Sequence, residues 1–231
     1  VLYTLAEDNL SPISLSKDMY KEYNRVDNFS KTDILKSCWL SLQSSIDSED
    51  TIVMTAANCT EELLQWIKET SKSKLEIVTV KGMRDYTPPY GEHPYKDYHE
   101  NGVNQFIPQY ELFYRLVEEN PEELFYFCND DYLHIPDAIH KIKNVYQSGY
   151  NQFFVPQDNP DCYQEHTNQC NLFLSSHGYL RTIKSSTPTI VAPGKLWLFY
   201  KHEVMKASVF ASDYWTWKVF SEVRALSPIP G

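Results

Sequence analysis

The segment Leu124-Phe-Tyr-Phe-Cys-Asn-Asp-Asp-Tyr-Leu133 runs an apolar strand straight into two adjacent carboxylates. Taking two such charges out of water costs several kcal/mol each, so a strand end of this kind calls for compensation. A divalent cation would supply it. Oxygen donors select Mg²⁺ or Mn²⁺, and such an ion bridges readily to the two phosphates of a nucleotide. Asp131 is the first candidate metal ligand, with Asp130 beside it, and Asn129 and Asp130 are placed to meet the nucleotide. The plainer alternative for the three residues is an exposed turn or a helix cap.

Other residues could do chemistry but lack the spacing for it. His93 and His99 fall in an aperiodic stretch, and His134 and His140 follow the acidic pair. None of them fits a zinc-binding spacing. His134, three residues beyond Asp131, could face a metal or phosphates, but is read first as a surface histidine. Lys81 and Arg84 follow an apolar run, and Arg84 is a candidate for a diphosphate; a solvated loop is the blander reading, as it is for Arg181 and Lys195. Trp197, Trp215 and Trp217 could wall a sugar site, although tryptophans of this kind are more often core. Ser175-Ser-His177 sets a nucleophile next to a base, but no G-x-S-x-G elbow is present.

The elements that must position these residues alternate. Val1–Leu5 reads as a first strand, with Ala6-Glu-Asp-Asn9 as the loop at its carboxyl end. Thr32-Asp33 would cap a helix over Ile34–Ile46, with Leu35, Cys38, Trp39 and Leu42 on one face. Asp50–Thr55 is a continuous apolar strand, Thr60 starts the next helix, and Leu75–Val80 is a third strand. Residues 81–103 read as a long loop, of the length that often serves binding. A helix over Gln105–Glu119, a strand over Glu123–Cys128, a helix over Pro136–Tyr146 and a strand over Gln152–Val155 follow. Later strand-like runs are Tyr179–Ile183, Thr189–Val191 and Lys195–Tyr200, and Ala211-Ser-Asp213 then precedes a last helix through about Val223. Such alternation implies parallel strands joined by crossover helices, with ligands outside the carboxyl ends of the strands. The β-rich last third adds a mixed or antiparallel part.

Taken together, the chain resembles the GT-A glycosyltransferases, the nucleotide-diphospho-sugar transferase superfamily, in a family-2-like form. Asn129-Asp130-Asp131 is similar to their DxD motif, with Asn129 in place of the first acid. The helix Gln105–Glu119 stands where members of the family place one before that motif. The resemblance implies an α/β fold with a mixed, mostly parallel sheet flanked by helices, as one domain over residues 1–231. It implies that Leu5, Ala6 and Asn9 face the nucleoside, that Thr55 and Ala56 lie near the base, and that Mn²⁺ or Mg²⁺ is the cofactor. In inverting members an acid before a late helix takes the proton of the acceptor hydroxyl; Asp213 is the candidate here, with a helix cap as its plain alternative. The implied activity is transfer of a sugar from a nucleotide diphosphate donor to a glycan or other hydroxyl acceptor. Two alternatives stand beside it. One is a nucleotidyltransferase, which would want a Gly-rich basic loop where Ala6-Glu-Asp-Asn9 stands. The other is a non-catalytic sugar- or nucleotide-binding module with a degenerate site.

Composition narrows the field from the other side. The chain has 231 residues, 42% of them hydrophobic and 23% charged, so it can bury a large core without disulfide or metal staples. Its 21 basic and 31 acidic residues give a net charge of −10, which disfavours nucleic acid as a partner. Only 7 glycines are present and no phosphate-loop fingerprint occurs. No apolar run is long enough for a membrane span. The 5 cysteines are odd in number and form no C-x-x-C pair, so reduced thiols and a cytoplasmic location are expected. The chain opens on Val1 and stops in an extended Ser227-Pro-Ile-Pro-Gly231, which reads as a piece of a longer protein.

Overall fold

The computed structural model describes residues 1–6, 30–57, 59–80, 106–157, 170–175, 178–184, 186, 189–207 and 214–229. Expectations that fall on Asn9, Arg84, Cys162, Asp213 and the 81–103 stretch lie outside the described residues. The first half alternates as its hydrophobic pattern requires: β1 (Leu2–Ala6), α1 (Lys31–Ser45), β2 (Thr51–Ala57), α2 (Glu61–Thr70) and β3 (Lys74–Thr79). Next come α3 (Phe106–Glu119), β4 (Leu124–Asn129), α4 (Ala138–Gln147), β5 (Leu172–Ser175), β6 (Gly178–Ile183) and β7 (Ile190–Pro193). The remainder is α5 (Gly194–Phe199), α6 (Lys201–Ala207), α7 (Tyr214–Glu222) and β8 (Ala225–Ile229).

The main sheet has the order β3-β2-β1-β4-β7, and a second sheet has the order β5-β6-β8. β1 to β4 run parallel, whereas β7 runs antiparallel to β4. The fold is therefore mixed α/β with a mostly parallel sheet between helices. Each central strand sends alternate side chains to opposite faces. On one face Tyr3, Leu5, Ile52, Met54, Tyr126 and Cys128 meet α1, α2 and α4 through Trp39, Leu42, Leu63, Ile67 and Ile142. On the other, Leu2, Val53, Phe127, Ile190 and Ala192 meet α3, α5 and α6 through Tyr110, Phe113, Val117, Trp197 and Val204.

Helix starts follow their capping residues. Ser30, and not Thr32-Asp33, caps α1: its hydroxyl accepts from the Asp33 N–H while the Asp33 carboxylate accepts from the Ser30 N–H. The first helical residue is thus Lys31, three positions earlier than the apolar periodicity suggested. Thr60 caps α2 as expected, accepting from the Leu63 N–H.

Two segments differ from expectation. Lys195–Tyr200 forms helix α5 and a turn, not a strand; its buried Gly194, Trp197 and Tyr200 recur every third residue, as a helix demands. Gln152–Val155 makes only a bridge at Phe154, antiparallel to Val191 and parallel to Leu226. The Phe154 and Val191 backbones exchange hydrogen bonds of 2.8 Å, and Val155 N–H donates to Leu226 O at 2.8 Å. This short stretch joins the two sheets.

Gly194 shows how closely β7 and α5 are held. A Cβ there would stand 2.7 Å from the Pro121 carbonyl oxygen and 3.0 Å from its carbonyl carbon, while the Gly194 N–H donates to Glu123 O at 2.8 Å. Gly194→Ala must push backbone against backbone, and is expected to cost about 2 kcal/mol and to lower the thermal midpoint by about 6 °C. A calorimetric scan of the variant checks this.

Candidate functional site

The strand order reverses between β1 and β4. β2 and β3 extend the sheet on one side of β1, and β4 and β7 extend it on the other. In open α/β sheets the crevice outside the carboxyl ends at such a reversal is where ligands bind. Register puts Thr55, Thr4 and Asn129 side by side in neighbouring strands at that end. The Thr4 hydroxyl donates to Asn129 Oδ1 at 3.1 Å, and the Asn129 N–H reaches Thr189 Oγ1 at 3.5 Å. Thr4, Thr55 and Thr189 are buried and make a polar floor around Asn129 at this end of the sheet. Asn129 belongs to this floor, which gives the amide at the first position of the acidic motif a structural use.

The chain then turns, and the two carboxylates leave the floor toward α1. The Tyr3 hydroxyl donates to the Asp130 backbone oxygen at 3.4 Å, and the Lys31 ammonium stands 3.8 Å from Asp130 Oδ2. The Asp130 side chain is only 13% exposed, whereas Asp131 is exposed. Their field reaches the groups beneath. Burial first, and then Asp131 and Asp130, pushes the Cys38 thiol up to about 11. Burial raises the Cys128 thiol to about 12, with the same carboxylates adding to the rise. Tyr3 is held far above its ordinary value by burial, the neighbouring Cys128 and Asp130. These groups stay protonated at neutral pH and offer no nucleophile.

Loop residues after the acids are fixed by His134, which is not the surface histidine expected. It is half-buried: Nε2 lies 2.9 Å from the Tyr126 hydroxyl, and the His134 backbone N–H donates to Ser41 Oγ at 2.9 Å. Burial drives the imidazole down to about 4, against an opposing interaction with the Tyr132 backbone. Between about 4 and the unfolded value of 6.5 the unfolded chain takes a proton that the folded one refuses, so stability falls as pH falls through that window. With allowance for partial exposure the loss is about 2 kcal/mol. Urea unfolding at pH 7 and pH 4.5 is expected to show a smaller pH-dependent loss in His134→Gln than in wild type.

Leu5, Thr55 and Ala56 are buried, so a ligand could meet little more than backbone there; Ala6 ends β1 beside them. Leu5, Ala6, Thr55, Ala56, Asn129, Asp130 and Asp131 do gather at one end of the sheet, as the strand assignments require. Arg181 is buried in β6, Lys195 pairs with Glu122, and Trp197 is a core residue. Sequence reasoning missed Lys31, Thr4 and Thr189. Lys31 could have been found from the capping box Ser30-Lys-Thr-Asp33, which sets it in the first turn of α1. A shallow cleft of about 480 Å³, lined by Pro121, Pro193, Leu196 and Phe199, lies at the amino end of β4, away from the carboxylates.

The fit to a cation rests on the donor set. The site offers two neighbouring carboxylates, and among the described residues no three His, Cys, Asp or Glu side chains converge into a full cage. Mg²⁺ and Mn²⁺ suit such a set, because they take one or two carboxylates and complete their shell with phosphate and water. Compared with protein-family models and with curated proteins, the chain matches no family and no curated sequence.

Proposed function

We propose that the protein is a metal-dependent glycosyltransferase that moves a sugar from a nucleotide diphosphate donor to a hydroxyl acceptor. One observation carries this reading: the Asp130-Asp131 pair stands at the carboxyl end of β4, beside the reversal of strand order between β1 and β4. The mixed, mostly parallel sheet agrees with the GT-A plan that the acidic motif suggests. The site is anionic, so it needs a cation before it can hold a diphosphate. Asp131, exposed beyond the strand, and Asp130, tucked against α1, would hold Mg²⁺ or Mn²⁺. When bound, that ion supplies neutralisation of the charge that develops on the departing diphosphate. The chain itself supplies the rigid platform. Thr4 and Asn129 lock β1 to β4, and Tyr3 ties down the Asp130 backbone, so the carboxylates are preorganised. Asp213 remains the proposed base for an inverting reaction.

Calorimetric titration with UDP and GDP, each with and without Mn²⁺, tests the reading on wild type and Asp131→Ala. Binding that needs Mn²⁺ and is lost in the variant supports a transferase. Absence of binding with these and with the remaining nucleoside diphosphates overturns it.

A further inference from the structure

The acidic pair comes with its own cation. Lys31 is the first residue of α1, fixed there by the Ser30–Asp33 capping box, and its ammonium lies 3.8 Å from Asp130 Oδ2. The side chains are 29% and 13% exposed, so the pair is partly sheltered from solvent screening. At 3.8 Å the contact is an attraction and not a hydrogen bond. We infer that Lys31 is a diphosphate-binding residue that couples metal to nucleotide: it occupies Asp130 in the free protein and passes to the phosphates when the metal takes Asp130. This rests on the nucleotide-dependent reading above.

Metal and lysine compete for one carboxylate. A divalent cation that approaches Asp130 meets the Lys31 ammonium at the same carboxylate, so metal alone binds against a like charge. A diphosphate brings negative charge that can satisfy both cations. Lys31 therefore opposes the metal before the nucleotide arrives and favours the nucleotide once the metal is present. By linkage the two ligands strengthen one another. A monophosphate or a nucleoside gains less, so the same residue selects diphosphates. A lysine that only stabilises the start of α1 would do neither.

The test follows from the opposed signs. Mn²⁺ alone is titrated into wild type, Lys31→Met and Lys31→Arg, and then UDP, GDP and pyrophosphate are titrated at saturating Mn²⁺. Lys31→Met is expected to bind Mn²⁺ alone roughly three- to tenfold more tightly, and the diphosphates about tenfold more weakly. Lys31→Arg keeps the charge and is expected to stay close to wild type. If Lys31→Met moves both affinities the same way, or neither, the inference about Lys31 falls, while Mn²⁺-dependent binding lost in Asp131→Ala still upholds the transferase. If wild type binds neither pyrophosphate nor any nucleotide with Mn²⁺, both readings fall. Circular dichroism of Lys31→Met separates any loss of helix from these effects.

Discussion

Asp131→Ala is expected, on the proposed transferase function, to lower donor turnover by roughly a thousandfold, through loss of the charge that would hold the metal against the leaving diphosphate. The readout is release of nucleoside diphosphate from the sugar donor, followed at saturating Mn²⁺. Asp131 is the sharper of the two carboxylates to test. It is exposed, so its removal leaves no hole and should change stability by less than about 0.5 kcal/mol. Asp130 is a poorer choice, since its side chain is mostly buried and faces Lys31, and truncation there disturbs a charge pair as well as a proposed ligand. Unchanged turnover in Asp131→Ala would leave only the turn or helix-cap reading of the motif.

Phe113→Ala should produce the largest loss of stability, about 4 kcal/mol, with an unfolding midpoint lower by about 12 °C. Phe113 is fully buried on α3 and meets four other rings edge-on. Phe125 and Phe127 belong to β4, at centroid distances of 5.8 and 5.4 Å, and Trp197 of α5 is at 4.8 Å. Loss of the ring opens a cavity among residues that cannot close in, because each is also held by backbone pairing or by its own helix. Urea unfolding followed by tryptophan fluorescence measures the loss. Phe113→Leu, which keeps most of the volume, should recover more than half of it.

The first half of the fold was legible because its elements are long and their periods clean. β2 is a run of seven residues with six buried, and Leu63 and Ile67 of α2 recur at helical spacing. The later part was harder to read. Leu172, Phe173 and Leu174 of β5 are all exposed or nearly so, so no alternation marks the strand; it forms because β6 pairs with it. β8 contains Pro228, which argues against a strand, yet it pairs with β6 throughout. The candidate site was half legible. The carboxylates announce themselves by their place after an apolar strand. Lys31 does not, because its relation to Asp130 crosses 99 positions of sequence and depends on where a serine begins a helix.

The bridge at Phe154 bears on how this chain can be divided. β7, which lies far along the sequence, covers the free edge of β4, and β6 and β8 add Leu180, Ile183, Ala225 and Leu226 to the two cores. The backbone of residues 153–155 ties Val191 to Leu226 between them. A fragment ending near residue 157 would therefore keep Asn129-Asp130-Asp131 and the β1 neighbour of β4 but lose β7, its partner on the other side. Its bare β4 edge would offer unpaired N–H and C=O groups to any neighbouring chain. The strand that leads to the carboxylates and the β-rich tail share both cores, so such a fragment is expected to expose apolar surface of each.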